Sequence, residues 1–478
     1  MINKNSSTAL YWQALLDRLI RKENTGAACV ALIQTIPPQV YREAPVLQLQ
    51  HAIALVQLER FDEALSILTR LEGRPGIDAG MLYLNLGACY SKQFNPERAL
   101  EFYQRAQKTG LDLVSLYRNM IGAYLDMGQL APAQSLYETH APRFSDDHGL
   151  MNAYADFLLA TQQYEKGFRL YHHRWLRPNA IPPPIRPDLP IWDGKTPVRS
   201  LLVIGEQGIG DEIVYSAYLP ELADRVQEMT VAYDARLFPL LSRTWPKLHL
   251  LDWDQLKTMS PQETGKRWDA WTHAADAGQY ATDAIGWKKG YLQVDKAKAH
   301  RLREKYQQLF PGKKLVGISW HSVRKTGSGL PKNIPLEQWQ PLLENKHCQF
   351  ITLQYGDMSD DLRSVHNKFG IHIYQDEEID NFKDLDGLAA QIHALDLTIS
   401  ISNTTAHLAA ATHAPTWAIL PQHLFWYWGF LGGSTNWYPD VRIFRFMKMT
   451  EYSPNMMELA QALNSFTTNN DNNNHFFD

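Results

Sequence analysis

A glycine-rich turn beside a carboxylate is where the sequence first indicates chemistry. Residues 205–212 read GEQGIGDE, directly after the apolar run SLLVI and before the helical pattern IVYSAYLPEL. Gly208 and Gly210 match two glycines of the dinucleotide fingerprint, but Ile213 stands where the third is required. The carboxylate of Asp211 would also repel a pyrophosphate, so the turn is not expected to bind NAD. A helix dipole favours the ionised form of Asp211, and the residues alone allow either a functional group or a helix cap.

A second group of polar residues opens a helix further along the chain. The stretch SNTTAHLAAATH, residues 402–413, follows the apolar strand pattern LTISI. The free N–H groups and the dipole of a helix N-terminus favour an anion such as a pyrophosphate. Thr404, Thr405 and His407 lie in the predicted first turn and add hydroxyl and imidazole donors. The alternative is structural, with Ser402 or Asn403 as the cap and His407 packed in the core.

The second half of the chain predicts a scaffold that brings strand ends together. From residue 200 onward, apolar runs such as EMTVAY, KLHLLD, KLVGISW, CQFITLQY and PTWAIL alternate with helical patterns. This alternation predicts parallel sheets that helices cover on both faces. A charged stretch near 295–312 divides the region into two Rossmann-like domains, 199–311 and 312–465. Ligands of such sheets bind at the carboxyl ends of the strands, so we expect a cleft between the domains.

The first third of the chain repeats with a period of 34 residues. Tyr83 and Tyr117 hold equivalent positions, as do Ala99 and Ala133. The pattern resembles the tetratricopeptide repeat, a helix–turn–helix unit that is stable only when neighbours stack. We therefore predict an array of about five helix pairs over residues 1–176. Its concave surface suits a peptide or protein partner, although a spacer or a dimer contact explains the array equally well.

Two further segments lack the pattern of a packed domain. Residues 177–198 are rich in proline, which excludes a helix and predicts an extended linker. Residues 466–478 contain the low-complexity stretch NNDNNNHFFD, which predicts a disordered tail.

Charge and composition argue against several classes of protein. The net charge is −4 and no large basic block occurs, so nucleic acid is not an expected partner. The three cysteines are widely spaced without a metal-ligand pattern, which indicates a reduced compartment. No apolar run reaches the ~18 residues of a membrane span, so we expect a soluble, cytoplasmic protein. The D-x-D triplet at 252–254 is interpreted as a strand-end turn and not as a metal site.

Four segments, in order and at natural spacing, resemble the heptosyltransferase-like GT-B glycosyltransferases, in particular those fused to tetratricopeptide repeats. They are GEQGIGDEIVYSAYLPEL, VGISWHSVRKTGSGLPKNIPLEQWQPLL, FITLQYG and LDLTISISNTTAHLAAATHAPTWAILP. The resemblance covers nearly all of residues 200–450. It implies an α + α/β fold, with an N-terminal tetratricopeptide superhelix followed by a GT-B fold of two Rossmann-like domains. In that family the first of these domains faces the acceptor and the second binds the nucleotide sugar.

The resemblance also implies roles for individual residues. Asp211 corresponds to the general base that takes the proton of the attacking acceptor hydroxyl. Lys332, in LPKNIPL, corresponds to a basic residue that stabilises the departing phosphate. No metal and no cofactor are implied. Ser402 departs from the family, because many members have an aspartate there that helps to hold the donor. The residues implied in donor binding are Lys332, Ser322, Gln354, Asn403, Thr404, Thr405 and His407, with Gly208 and Gly210 in the glycine turn.

We therefore expect an inverting, metal-independent glycosyltransferase. It would move a hexose or heptose from a nucleotide-diphosphate sugar to a hydroxyl of a protein or peptide held by the repeats. Two alternatives stay open: a catalytically degenerate GT-B scaffold for protein–protein interaction, or a transferase for a saccharide or lipid-linked acceptor. The scaffold predicts no nucleotide binding, whereas the second alternative predicts an activity that does not depend on the repeats.

Overall fold

A computed structural model describes residues 4–20, 25–177, 180, 185, 187–206, 208–281, 290–322, 333–421, 425–430, 432–435, 437–446 and 452–468. The chain divides into two compact units, Met1–Leu150 and Met151–Asp478.

The first unit consists of helices that pack in pairs along the chain. They are α1 (Lys4–Ile20), α2 (Gly26–Gln34), α3 (Pro38–Glu43), α4 (Pro45–Gln57), α5 (Phe61–Leu71), α6 (Ala79–Lys92), α7 (Pro96–Lys108), α8 (Val114–Asp126) and α9 (Leu130–His140). α4 packs on α5, α6 on α7 and α8 on α9. A Cβ atom at Gly87 of α6 would collide with the Tyr103 ring of α7 and lie 3.0 Å from the Ala99 carbonyl oxygen. Small residues thus allow paired helices to approach closely, and the assignment to the tetratricopeptide family stays a prediction.

The second unit combines nine described strands with helices. The strands are β1 (Ser200–Ile204), β2 (Glu228–Tyr233), β3 (His249–Asp252), β4 (Ala270–His273), β5 (Lys314–Ser319), β6 (Cys348–Thr352), β7 (Leu397–Ile401), β8 (Thr416–Pro421) and β9 (Arg442–Phe446). The helices are α10 (His148–Ala160, which begins in the first unit), α11 (Tyr164–Tyr171), α12 (Ile209–Ser216), α13 (Leu219–Ala223), α14 (Phe238–Thr244), α15 (Trp253–Thr258), α16 (Pro261–Arg267), α17 (Ala274–Ala277), α18 (Lys296–Leu309), α19 (Gln340–Leu343), α20 (Ser359–Phe369), α21 (Leu385–His393), α22 (Thr404–Ala411) and α23 (Tyr452–Thr468).

The strands form two sheets, and all their pairings are parallel. The first sheet has the order β3-β2-β1-β4 and the second the order β6-β5-β7-β8-β9. Two parallel sheets with helices between their strands confirm the α/β part of the predicted fold class. The sequence patterns did not predict β4 or β9. β4 has only four residues and leads directly into a helix, while β9 is an edge strand in which exposed Arg442 and half-buried Arg445 interrupt the apolar pattern.

The C-terminal part of the predicted linker packs against the first sheet. Ile191 forms a parallel bridge with Trp271 of β4, and the Trp192 N–H donates to the Trp271 carbonyl at 2.8 Å. The indole of Trp192 is buried, so this stretch extends the sheet edge beside β4. Residues 178, 179, 181–184 and 186 of the predicted linker lie outside the described residues. At the other end, α23 continues to Thr468, and the remainder of the predicted tail also lies outside them.

Helices that precede the linker share a core with the first sheet. Phe168 and Tyr171 of α11 are buried in the same cluster as Tyr218. The rings of Phe168 and Tyr218 meet edge to face with centroids 6.4 Å apart. A Cβ atom at Gly278, just after β4, would meet the Phe168 ring at 2.7 Å. Residues from about 151 to 175 are therefore part of the second unit's hydrophobic core.

Candidate functional site

The glycine turn connects the carboxyl end of β1 to the start of α12. Gly208 is the residue before α12 and has φ 156° and ψ 171°. L side chains rarely adopt this backbone conformation, so glycine is favoured at position 208. Asp211 lies in the first turn of α12 and is half-buried. The turn thus holds a carboxylate at the edge of the sheet where ligands of parallel α/β folds bind.

The start of α12 lies against the start of α22, which follows β7 of the second sheet. A Cβ atom at Gly210 would lie 3.2 Å from Cδ2 and 3.9 Å from Nε2 of His407. It would also lie 3.9 Å from the Thr404 hydroxyl oxygen. The absence of a side chain at Gly210 therefore permits the approach of the two helices. The two polar groups that the sequence singled out, almost 200 residues apart, meet at the carboxyl ends of both sheets.

Asn403 fixes the N-terminus of α22. Its side-chain oxygen accepts from the Ala406 N–H at 3.3 Å and from the Ser400 hydroxyl at 2.9 Å. Its amide donates to the Ser319 hydroxyl at 2.7 Å, which ties the cap to the end of β5. Asn403 is buried and its side chain is occupied by these bonds, so its role in the described structure is to cap and position α22.

Gln354 holds the chain that leaves β5. Its side-chain oxygen accepts from the N–H groups of Trp320 at 2.9 Å and His321 at 2.8 Å. Its amide donates to the His321 carbonyl at 3.0 Å. Ser322, two residues after Trp320, exchanges backbone hydrogen bonds with the side chain of Asn333 at 2.8 and 3.0 Å. These bonds hold the two ends of the segment 323–332, and Lys332, within it, lies outside the described residues.

The first turn of α22 contains two buried polar side chains with different surroundings. His407 is stacked on Trp428, with ring centroids 5.0 Å apart, and its Nδ1 lies 3.1 Å from the Tyr438 hydroxyl. The Thr405 hydroxyl oxygen is buried and has no hydrogen-bond partner among the described residues. Thr404 is half-buried beside them. A buried hydroxyl without a partner costs free energy, which makes Thr405 a candidate contact for a ligand at this helix N-terminus.

Ser402 is enclosed by aromatic side chains. Its hydroxyl accepts from Nε1 of Trp428 at 2.9 Å, and both residues are buried. Trp426 and Trp437 are buried as well, and their rings meet edge to face at 4.9 Å. Trp426, Trp428 and Trp437 are therefore packed in the core of the second unit.

Sequence reasoning missed a buried ionic cluster beneath the glycine turn. Arg174, just before the linker, donates two hydrogen bonds to Glu206 of the turn, at 2.9 and 2.7 Å. It also bonds to Asp276, which lies in α17 after β4. Glu206 is inside the quoted turn, and its position directly after a buried strand was the available signal. Its arginine partner lies 32 residues away and is recognised only in the folded chain.

Glu212, the neighbour of Asp211, was also missed. It is 2% exposed, and its carboxylate accepts from the Asp234 N–H at 3.0 Å and from Nε1 of Trp253 at 2.7 Å. Burial raises the pKa of Glu212 to about 8, although the two N–H donors act in the opposite direction. Its neighbour Asp211 faces a more open environment because it is only half-buried. Adjacent carboxylates thus have different surroundings at the same turn.

Two further features of the described part of the chain concern membranes and metal ions. None of the helices in that part is long and apolar enough to cross a membrane. Among the same residues, no group of three or more His, Cys, Asp or Glu side chains is arranged to hold a metal ion.

The fold and the site define a protein with two parallel sheets whose carboxyl ends face a shared set of polar groups. No family model matches the chain. It is 28% identical over 433 residues to Protein FlbA of Caulobacter vibrioides, a match that covers 87% of this chain and 72% of that protein.

Three solved structures resemble the chain more remotely, each at 13% identity. The glycosyl transferase family 9 protein of Veillonella parvula matches 56% of this chain and 89% of its own, with a TM-score of 0.38. The ADP-heptose lps heptosyltransferase II of E. coli matches 56% and 98%, with a TM-score of 0.41. The O-GlcNAc transferase of Thermobaculum terrenum matches 93% and 92%, with a TM-score of 0.30.

Proposed function

We propose that this protein is an inverting glycosyltransferase that moves a sugar from a nucleotide-diphosphate donor to an acceptor hydroxyl. The observation that carries the proposal is the contact between the starts of α12 and α22, through Gly210, Thr404 and His407. Asp211 follows Gly210 in the chain, and a helix N-terminus such as that of α22 favours an anion, so the contact supports a base from the first sheet near a phosphate site from the second. This arrangement suits a reaction that needs a general base on one side and a phosphate site on the other.

On the acceptor side, Asp211 is the proposed general base. A hydroxyl that attacks the anomeric carbon must lose its proton, and a carboxylate at ~3 Å can accept it. The bond from the anomeric carbon to the nucleotide phosphate breaks as the new bond to the acceptor oxygen forms. Because this is a single displacement, the configuration at the anomeric carbon inverts.

On the donor side, the N-terminus of α22 is the proposed site for the leaving diphosphate. The N–H groups of a first helical turn have no acceptor within the helix, and the helix dipole favours negative charge. The hydroxyl of Thr405 supplies a further donor, and Lys332 is a candidate for direct charge stabilisation by its resemblance to the family position. These groups supply the positive potential for the leaving group, so the proposal includes no metal ion and no cofactor.

The acceptor is proposed to be a protein or peptide. The helix pairs of the first unit support this, because stacked helix pairs form extended surfaces that bind chains. The transferred sugar is proposed to be a hexose or a heptose.

One observation favours a second candidate, a GT-B scaffold without activity. Ser402 stands where many members of the resembled family have an aspartate, and its hydroxyl already accepts the Trp428 indole at 2.9 Å. A donor contact at that position would have to replace this packing. The scaffold predicts that no nucleotide binds, which separates it from the transferase.

Nucleotide binding by two matched threonine variants tests the proposal. Thr405→Val removes the buried hydroxyl at the helix N-terminus with almost no change of shape. Thr398→Val removes another buried hydroxyl without a partner among the described residues, from the middle of the second sheet in β7. Because neither hydroxyl has a hydrogen-bond partner among the described residues, neither variant should lower the melting temperature.

The ligands are ADP, UDP, GDP and CMP, with binding followed by calorimetry. We expect one nucleotide to bind the wild type, and Thr405→Val to weaken it by about tenfold or more, the value of a hydrogen bond to a charged group. Thr398→Val should bind like the wild type. Equal binding by all three proteins would remove the N-terminus of α22 as the phosphate site. No binding of any nucleotide to the wild type would leave the scaffold as the better reading.

A further inference from the structure

The buried cluster of Arg174, Glu206 and Asp276 connects three separate parts of the second unit. Arg174 lies in a 3₁₀ turn (His172–Trp175) that follows α11. Its Nε and Nη2 donate to the two carboxylate oxygens of Glu206 at 2.9 and 2.7 Å, and its Nη1 bonds to Asp276. The guanidinium thus uses its planar fork on one carboxylate and its remaining edge on another.

Because the cluster is buried, the charge of Glu206 depends on its partner Arg174. The side chains of Arg174 and Glu206 are 4% and 0% exposed, and that of Asp276 is 18% exposed. The rings of Tyr171 and Trp175 each lie 4.6 Å from the guanidinium carbon and exclude water from it. A buried carboxylate without a cationic partner is costly, so Glu206 can occupy this position as an anion only while Arg174 faces it. Burial raises the pKa of Glu206, and the charge of Arg174 counteracts that rise.

The cluster is directly connected to the glycine turn. Glu206 is the second residue after β1, and the Gly208 N–H donates to the Glu206 carbonyl at 2.8 Å. The Glu206 carboxylate also accepts from the Ala275 N–H at 3.2 Å, which ties the turn to the chain after β4. The Arg174 guanidinium is held in turn by the Tyr171 carbonyl at 2.8 Å. A displacement of Glu206 would therefore change the path of the chain that leads to Asp211.

We propose that Arg174 is a positioning residue: through Glu206 it fixes the glycine turn and thereby the place of Asp211. The catalytic part of this inference rests on the function proposed above. It means that the last turn before the proline-rich segment belongs to the machinery of the site, although it follows the helical repeats in sequence. Without Arg174 the turn would open more easily, and the carboxylate of Asp211 would no longer be held at one position.

Two variants and a matched control test the inference in the full-length protein. Glu206→Gln keeps the size of the side chain but removes the charge and turns an N–H group toward the guanidinium. Arg174→Lys keeps the charge but loses the fork that spans both carboxylates. The control is Asp396→Asn. Asp396 likewise accepts from an arginine, Arg303 at 2.8 Å, and from a backbone N–H, that of Leu315 at 2.6 Å. It lies at the amino end of the second sheet, away from the glycine turn.

Hydrogen–deuterium exchange of the peptide 205–212 is the readout that needs no substrate. We expect exchange there to rise about tenfold in Glu206→Gln and less in Arg174→Lys, because local opening becomes easier, and to stay unchanged in the control. The second readout is release of nucleoside diphosphate from the nucleotide sugar whose nucleotide binds the wild type. The kcat should fall by about 100-fold in Glu206→Gln, because a misplacement of the Asp211 carboxylate by ~1 Å has an effect of that size. The KM for the donor should change little.

The outcomes separate this inference from the proposed function. Faster exchange confined to the turn in both variants supports positioning even if no nucleotide sugar is turned over, a result that would count against the function alone. Wild-type exchange and wild-type kcat in both variants would overturn the inference. So would an equal loss in Asp396→Asn, because the effect would then be general destabilisation. If Glu206→Gln does not fold, Arg174→Lys decides by the same criteria.

Discussion

The buried carboxyl of Glu212 gives the protein a specific dependence of stability on pH. The pKa of Glu212 is raised to about 8 in the fold, compared with 4.5 as its ordinary value. Between these two values the folded protein binds a proton that the unfolded chain has released. The free energy of unfolding therefore falls as pH rises through this window, by about 1.4 kcal/mol for each pH unit from this one group.

Glu212→Gln removes the titrating group but not its shape. The amide can accept only one of the two hydrogen bonds from the Asp234 N–H and the Trp253 indole, so the variant loses about 1–3 kcal/mol at pH 5. The wild type then loses about 2–3 kcal/mol relative to the variant between pH 5 and 7. The two stabilities should converge and become equal near neutral pH.

Urea unfolding at several pH values, followed by tryptophan fluorescence, measures this difference. Of the 14 tryptophans only Trp12 precedes residue 150, so the signal reports on the second unit. The difference between wild type and variant isolates Glu212 from other acids with a raised pKa, such as Asp156, whose pKa is raised to about 7 by desolvation. A difference that stays constant from pH 5 to 8 would show that Glu212 is ionised throughout and that its pKa is not raised.

Two further predictions concern packing at the turn and the cysteine thiols. Gly205→Ala places a methyl group against the Glu212 carboxylate, so it should destabilise the second unit by about 1–3 kcal/mol in the same urea experiment. A stability equal to that of the wild type would contradict the close packing at Gly205. Burial raises the pKa of both Cys89 and Cys348 to about 12, so neither thiol should react with a thiol reagent at pH 8 until the protein is unfolded. Labelling of either cysteine in the folded protein, detected by mass spectrometry, would contradict their burial.

The sequence predicted the strands and helices that form the site better than the contacts between them. The glycine turn and the N-terminus of α22 each follow an apolar strand pattern, so the strand–turn–helix order and the carboxyl-end position followed from local rules. The strands β1 and β7 lie at the predicted runs SLLVI and LTISI. What local patterns could not give is that Gly210 and His407 touch, because that contact depends on how the two sheets are arranged.

The environment of charged residues was the part that sequence patterns could not supply. Glu212 stands beside Asp211 in the sequence, yet one carboxyl is buried and the other is half-exposed because α12 turns them to different sides. Arg174 stands in a stretch with several polar residues, and nothing in that stretch indicates that its side chain is buried. Its partner Glu206 is identified only in the folded chain. His407 is packed against Trp428, which sequence reasoning had named only as an alternative to donor binding.

The most direct test of the central claim is donor turnover by Asp211→Asn compared with the wild type. The nucleotide sugar used is the one whose nucleotide binds in calorimetry, and both proteins are assayed for release of nucleoside diphosphate and for attached sugar by mass spectrometry. We expect the variant to bind the nucleotide like the wild type but to lose transfer by about 10²–10⁴-fold, the usual contribution of a general base. Undiminished transfer by Asp211→Asn would show that Asp211 is not the general base.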